Sequence, residues 1–122
     1  MTAIEKLVDA HLAAYTDADE AQRLAAIRRT WHAQGRLIDP PMGGAGHDGI
    51  SELAAKVVQQ FPGHRFTRTT AVDAHNEFAR YGWKLQDGQG NAVLEGCDFV
   101  TLDVDGRLLQ VVGFFGSPAP AA

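Results

Sequence analysis

The sequence predicts an α+β fold in which three helices pack on a curved, mostly antiparallel sheet. Apolar residues recur at helical spacing in the first half of the chain, they alternate as in strands in the second half, and glycine-containing turns separate those strands. The length of 122 residues and the 45% hydrophobic content suit one domain with a single core. We place that domain at residues 1–116 and expect the Pro- and Ala-rich residues 117–122 to form a flexible tail.

Three helices are predicted from the positions of apolar residues and of residues that cap or stop helices. Six residues of the first helix, residues 3–15, share one face: Ile4, Leu7, Val8, His11, Leu12 and Tyr15. Four residues of the second share another face: Leu24, Ile27, Arg28 and Trp31. Gly35 stops this helix or lies just after it, and His32 lies at its C-terminus. After a glycine-rich loop, Met42–Gly46, Asp48 caps a third helix at about 49–60.

The remaining segments alternate in hydrophobicity and are predicted to be strands. They are Arg36–Asp39, Phe66–Asp73, Glu77–Gln86, Asn91–Val104 and Arg107–Phe115. On the last strand, alternation places Leu109 on one face with Val111, and Leu108 on the other. Both faces of the sheet are apolar, and the helices cover only one of them. We therefore expect a homodimer that forms through the outer face of the sheet.

Composition and simple motifs exclude several classes of function. The net charge is −4 and the sequence has no basic block, so no nucleic-acid partner is expected. No apolar run of about 18 residues is present, and the N-terminus lacks a leader, so we expect a cytoplasmic protein that does not bind membranes. The single cysteine, Cys97, fits a reducing compartment. The spacing of His47, His64 and His75 matches no zinc pattern, and Met42–Gly46 lacks a phosphate-loop ending, so no cofactor is expected.

Two aspartates stand out because each lies in an otherwise apolar strand. Asp39 ends the strand before Pro40, and Asp98 lies within the longest strand. A carboxylate is costly to desolvate, so two acids that face one apolar cavity would be a candidate acid/base site. Each aspartate also has a structural interpretation: a turn cap for Asp39, and an ion pair with a buried Arg80, Arg68 or histidine for Asp98. His11 shares the apolar face of the first helix and is either a core residue or a hydrogen-bond donor.

Three segments carry a resemblance to a known family. They are His11–Asp19, then Trp31–Pro40 with Gly46–Ile50, and finally Asp98–Leu108 with Gly113–Gly116. Together they resemble the nuclear transport factor 2-like superfamily, nearest its SnoaL-like and ketosteroid-isomerase-like branch. The resemblance spans nearly the whole chain. It implies a cone-shaped fold, in which a strongly bent sheet wraps a long helix and encloses a deep apolar pocket.

The resemblance also implies roles for individual residues. Asp39 matches the general-base aspartate of ketosteroid isomerases, and Asp98 matches their protonated aspartate, which donates a hydrogen bond to the oxyanion. His11 falls where those enzymes have an oxyanion-binding tyrosine, so this chain departs from their pattern there. Seven further residues are expected to line the pocket: Tyr15, Trp31, Leu37, Phe61, Trp83, Val100 and Phe115.

These observations predict a small cofactor-independent enzyme, an isomerase, cyclase or lyase, acting on an apolar carbonyl compound. The first alternative is a non-catalytic module that binds a small ligand or dimerises. The second is an epoxide hydrolase, which would need an Asp-Arg-Asp set that includes Arg80. The geometry of the carboxyl groups discriminates among the three. Catalysis is favoured if Asp39 and Asp98 open on one cavity, and binding is favoured if an arginine or a backbone cap occupies either of them.

Overall fold

The computed structural model describes all 122 residues, Met1–Ala122, and contains three helices and seven strands. In chain order the elements are α1 (Ala3–Ala14), α2 (Glu20–Thr30), β1 (Trp31–Ile38), β2 (Gly43–Ala45), α3 (Gly46–Gln60), β3 (Arg65–Arg68), β4 (Asp73–His75), β5 (Phe78–Gln86), β6 (Ala92–Leu102) and β7 (Leu108–Phe115). The three helices pack against a curved sheet that does not close into a barrel. The predicted α+β class is confirmed.

The sheet is mixed, with one parallel pair among antiparallel ones. Its strand order is β2-β1-β7-β6-β5-β3, and β4 pairs with β5. Only β1 and β7 run parallel. Strand β6 pairs with β5 on one side and with β7 on the other. Asp98 of β6 lies opposite Tyr81 of β5 and opposite Gly113 of β7. Asp98 therefore occupies the middle of the sheet, where strands flank it on both sides.

Two of the three helices begin at a residue whose side chain caps the helix N-terminus. Thr2 and Glu5 form a reciprocal capping box at the start of α1, and the Asp19 side chain accepts a hydrogen bond from the backbone of α2. The prediction for α3 was wrong by one turn. The helix begins at Gly46, with Ala45 as an N-cap that makes no side-chain hydrogen bond, and Asp48 lies in its first turn. An acid in that turn still favours the helix, because it faces the positive end of the helix dipole.

The second helix ends earlier than predicted. It stops at Thr30, and Trp31, His32 and Gly35 belong to β1. Trp31 is completely buried as the first residue of a strand, although its spacing also fits a helix. A side chain at position 35 would overlap the Trp31 ring, so Gly35 makes room for the indole rather than stopping a helix. The register between β1 and β7 shifts between Trp31 and Arg36, and this irregularity hides the strand from a search for alternation.

Three further predictions needed correction. The loop predicted at Met42–Gly46 contains β2, which pairs with β1, and the predicted strand Phe66–Asp73 is divided into β3 and β4. In β7 the pairing with β6 is irregular next to Leu102. This irregularity makes Leu108 fully buried in place of Leu109, whereas strict alternation would place them the other way round.

The core lies between the helices and the inner face of the sheet. It is a cluster of 17 buried hydrophobic residues that includes Trp31, Val100 and Val111. On the outer face, the Phe99 and Phe114 side chains are 43% and 56% exposed and lie edge to face. Residues 117–122 are exposed and form neither helix nor strand. None of the helices is long and apolar enough to cross a membrane.

Candidate active site

An apolar cavity of about 190 Å³ lies between the helices and the inner face of the sheet. Sixteen residues line it: His11, Leu12, Tyr15, Leu37, Asp39, Pro41, Met42, Val57, Gln60, Phe61, Phe66, Trp83, Leu85, Leu94, Asp98 and Phe115. Eleven of the sixteen are hydrophobic. The cavity is therefore an apolar chamber with a few polar groups, which is the usual composition of a small-molecule site.

The structure places most of the predicted site residues at this cavity. Those that line it are His11, Tyr15, Leu37, Asp39, Phe61, Trp83, Asp98 and Phe115. Trp31 and Val100 do not line it, so these two predictions were wrong. Trp31 is completely buried, and its indole is hydrogen-bonded to His11, which does line the cavity. Val100 shares the face of Asp98 but belongs to the packed core, opposite Ala79 and Val111.

Asp98 is a buried carboxyl group held by two side-chain donors. The Tyr81 hydroxyl donates to Oδ2 at 2.6 Å, and the Trp83 indole nitrogen donates to Oδ1 at 2.8 Å. No arginine or lysine pairs with it. Burial raises the pKa of Asp98 to about 7; the two hydrogen bonds oppose this shift and the nearby charge of Asp39 adds to it. The group is therefore able both to hold and to release a proton near neutral pH.

Asp39 follows β1 directly and keeps one carboxylate oxygen free. The Tyr15 hydroxyl donates to its Oδ2 at 2.7 Å, and no hydrogen bond within the protein reaches Oδ1. The turn at this point is closed by backbone hydrogen bonds between Asp39 and Met42, so the side chain does not act as a cap. Burial raises the pKa of Asp39, and the hydrogen bond from Tyr15 lowers it. The free Oδ1 is a suitable proton acceptor.

Gly113 brings the two carboxyl groups together. It pairs with Asp98 across β6 and β7, and a Cβ added to it would overlap Asp39 Oδ1 and come within 3.2 Å of Asp98 Oδ1. Only glycine leaves space at this point for both acids. Two carboxyl groups from distant parts of the sequence thus converge above one backbone position, at the polar end of the cavity.

His11 is a further polar group that lines the cavity. It lies in α1 and is 2% exposed, and burial lowers its pKa to about 4, so that the imidazole is neutral at pH 7. The Trp31 indole nitrogen lies 3.3 Å from Nδ1 and donates to it. The imidazole ring stacks on Tyr15 with centroids 5.9 Å apart, and Tyr15 in turn holds Asp39.

Aromatic rings form one wall of the chamber. Phe66 stacks on Tyr15 at 5.3 Å and meets Trp83 edge to face at 5.2 Å, and Trp83 meets Phe115 edge to face at 6.1 Å. Two features of the site were not predicted from the sequence: Phe66 as a lining residue and Tyr81 as the donor to Asp98. One signal for Tyr81 was present, because it shares its strand face with Trp83 and lies opposite Asp98 once the hairpin register is known.

The other candidate residues lie away from this site. Arg80 points to the outer side, where it pairs with Asp73 at 2.9 Å, and so the Asp-Arg-Asp set of an epoxide hydrolase is not assembled. His47 and His64 each contact a backbone carbonyl, and His75 contacts Asn76. No group of three or more His, Cys, Asp or Glu side chains is placed to hold a metal ion.

The fold and cavity define a class of protein: a small α+β domain whose curved sheet and helices enclose an apolar chamber with acids at one end. The family model of the SnoaL-like domain matches residues 10–111. The chain therefore belongs to the SnoaL-like family, within the nuclear transport factor 2-like superfamily, as the sequence resemblance implied. No curated protein sequence matches it.

Solved structures agree with this assignment. A protein from Agrobacterium tumefaciens str. C58, provisionally called an isomerase of the SnoaL-like family, is 34% identical, with a TM-score of 0.89 over 96% of this chain and 100% of that one. A protein from Jannaschia sp. CCS1, provisionally called a SnoaL-like polyketide cyclase, is 18% identical, with a TM-score of 0.68 over 94% and 89% of the two chains. A protein of unknown function with a cystatin-like fold, from Methylobium petroleophilum PM1, is 21% identical, with a TM-score of 0.72 over 96% and 78%. The last two likenesses concern the fold alone.

Proposed function

We propose that this chain is a small cofactor-independent enzyme, an isomerase, cyclase or lyase, that transfers a proton on an apolar carbonyl compound. The observation that carries the proposal is the convergence of Asp39 and Asp98 above Gly113 at the end of an apolar cavity. Neither carboxyl group is paired with an arginine or used as a backbone cap, which supports catalysis over a purely structural role. The 34% identical relative, which is provisionally called an isomerase, supports the same class of reaction.

In the proposed mechanism, Asp39 is the base. Its free Oδ1 abstracts a proton from the carbon next to the carbonyl group, and the electron pair of the broken C–H bond moves toward the carbonyl oxygen. His11 and protonated Asp98 stabilise the resulting enolate by hydrogen bonding or by returning a proton. Each of the two acids is restrained by a tyrosine, Asp39 by Tyr15 and Asp98 by Tyr81, so the site is organised before the ligand enters.

The size of the cavity suggests ring-sized ligands. An engineered apolar cavity of about 150 Å³ holds benzene, and this one measures about 190 Å³. The wall formed by Tyr15, Phe66 and Trp83 favours a planar ring, because aromatic faces and edges pack well against one another. We therefore infer that a compound with one or two rings and a carbonyl group fits inside.

The proposal is tested by exchange of carbon-bound protons in heavy water. Acetophenone, α-tetralone and cyclohex-2-enone serve as probes, and NMR follows deuterium incorporation next to the carbonyl group. The wild-type protein should accelerate exchange on at least one probe, and Asp39→Asn should lose about 100-fold or more of that rate, the usual contribution of a general base. Asp105→Asn is the matched control, because that side chain is 72% exposed and remote from the cavity, and it should keep the rate.

The same experiment discriminates the enzyme from a ligand-binding module. If the wild-type protein binds the probes in the cavity but exchanges none of their protons, the non-catalytic binding role replaces the proposed one. An Asp39→Asn variant that exchanges at the wild-type rate removes Asp39 as the base.

We also propose that the chain forms a homodimer through the outer face of the sheet. The exposed pair of Phe99 and Phe114 on that face supports this, since exposed neighbouring aromatic side chains often mark an interface.

A further inference from the structure

The contact between Trp31 and His11 has a consequence for the proton on the histidine. We propose that Trp31 is a positioning residue that fixes His11 in the tautomer with the proton on Nε2, so that a neutral N–H donor points into the cavity beside the two acids. Only the catalytic use of this donor rests on the proposed function. The tautomer itself is independent of any reaction.

The chemistry of the two rings sets the direction of their hydrogen bond. An indole nitrogen donates a hydrogen bond and cannot accept one. The Trp31 indole nitrogen lies 3.3 Å from His11 Nδ1, and the rings meet at 76° with centroids 5.4 Å apart. Nδ1 must therefore offer its lone pair to Trp31. A neutral imidazole with a lone pair on Nδ1 carries its proton on Nε2.

Burial and packing restrict the charge and the mobility of the imidazole. His11 is 2% exposed, and Trp31 is completely buried. Burial lowers the pKa of His11, which keeps the ring neutral under ordinary conditions. The Tyr15 ring stacks on the imidazole, which therefore cannot rotate without disturbing the packing.

The hydrogen bonds of the buried polar atoms locate Nε2. Every fully buried polar side-chain atom of this protein has a hydrogen-bond partner. His11 makes one side-chain hydrogen bond, and that bond is at Nδ1. Nε2 must therefore be accessible, and the space next to His11 is the cavity that it lines together with Asp39 and Asp98. The donor on Nε2 is thus free to bind a ligand acceptor such as a carbonyl oxygen.

The tautomer is measured by long-range ¹H–¹⁵N NMR on the wild-type protein with labelled histidine. Nε2 should give a protonated-type resonance and Nδ1 an unprotonated-type resonance, without change from pH 5.5 to 8. Trp31→Phe keeps a buried aromatic ring and removes the donor, so the Nδ1–H form should appear. Trp83→Phe is the matched control. It removes the other indole donor at this site, the one to Asp98, and should leave the His11 tautomer unchanged.

A binding readout follows the same donor. Acetophenone and α-methylstyrene have nearly the same shape, and only the first has a carbonyl oxygen. The wild-type protein should prefer acetophenone, and Trp31→Phe should reduce that preference roughly fivefold to tenfold, the usual effect of losing one hydrogen bond.

A protonated Nδ1 in the wild-type protein would overturn the proposal, as would a Trp31→Phe variant that keeps the pure Nε2–H form. If Trp31→Phe does not fold, the wild-type spectrum alone decides. Failure of the exchange experiment on Asp39 would leave the tautomer result standing, so that the two proposals fail separately.

Discussion

Replacing Asp98 with asparagine removes the charge of this side chain and keeps nearly the same shape. The amide retains an oxygen that accepts from Trp83, and its nitrogen is able to donate to the Tyr81 hydroxyl, which acts as donor or acceptor. The substitution should therefore preserve the hydrogen-bonded network. Its main thermodynamic effect is to remove the cost of ionising a carboxyl group at a site that is 5% exposed.

The magnitude follows from the pKa of Asp98, which rises from 3.8 to about 7 on folding. Between these two values the folded state binds more protons than the unfolded state, so stability falls as the pH rises. At about 1.4 kcal/mol for each pH unit, ionised Asp98 costs about 4 kcal/mol at pH 8 and less than half of that at pH 5. The Asp98→Asn variant should be more stable than wild type at pH 8, while losing the exchange activity.

The measurement is urea unfolding followed by circular dichroism at pH 5 and pH 8, at one fixed protein concentration. The free energy of unfolding of the wild-type protein should fall by about 3 kcal/mol more than that of Asp98→Asn between the two conditions. The matched variant Asp105→Asn, with its exposed side chain, should follow the wild type. If Asp98→Asn and the wild type change in parallel, the pKa of Asp98 is not raised, and the argument for an acid near neutrality is wrong.

Three further substitutions test separate parts of the structure. Tyr15→Phe removes the hydrogen bond that lowers the pKa of Asp39, so this pKa should rise. The pH at which Asp39 titrates by NMR, and the pH below which the exchange rate falls, should both be higher than in the wild type. Gly113→Ala places a methyl group against Asp39 and should cost about 1–3 kcal/mol in urea unfolding and weaken acetophenone binding, whereas an unchanged affinity would contradict the convergence of the acids. Phe114→Lys should convert a dimer to a monomer in sedimentation, and Val104→Lys, at a fully exposed site, should not; a wild-type monomer would refute the interface.

The sequence was informative where periodicity and turn chemistry agree. The stripe on α1 and the alternation around Asp98 depend on local spacing, so the helix and the buried face of β6 could both be predicted. The position of Trp31 could not, because its spacing from Ile27 fits a helix equally well. Its assignment to β1 depends on pairing with β7, more than seventy residues later in the chain. Burial of Leu108 likewise depends on an irregular pairing that has no local signature.

In the candidate site, too, local sequence patterns could be recognised, whereas contacts between distant parts of the chain could not. The two aspartates were recognisable because an acid in an apolar strand is unusual. Their donors were not, because no local signal marks Tyr15 or Tyr81 as a hydrogen-bond donor to an acid. The packing of α1 places Tyr15 beside Asp39, and the register of β5 and β6 places Tyr81 beside Asp98. The need for glycine at position 113 is likewise visible only when both carboxyl groups are in place.

The environments of the two acids separate their chemistry. Both oxygens of Asp98 accept hydrogen bonds, and burial nevertheless raises its pKa to about 7, so a proton on this group is weakly held at neutral pH. Asp39 has a single donor and a free Oδ1, and its negative charge is one reason that Asp98 retains a proton. When Asp39 takes up a proton it loses its negative charge, and the pKa of Asp98 therefore falls. Abstraction at one acid thus favours donation at the other, and this coupling suits a reaction that removes a proton from one atom of a ligand and returns one to another.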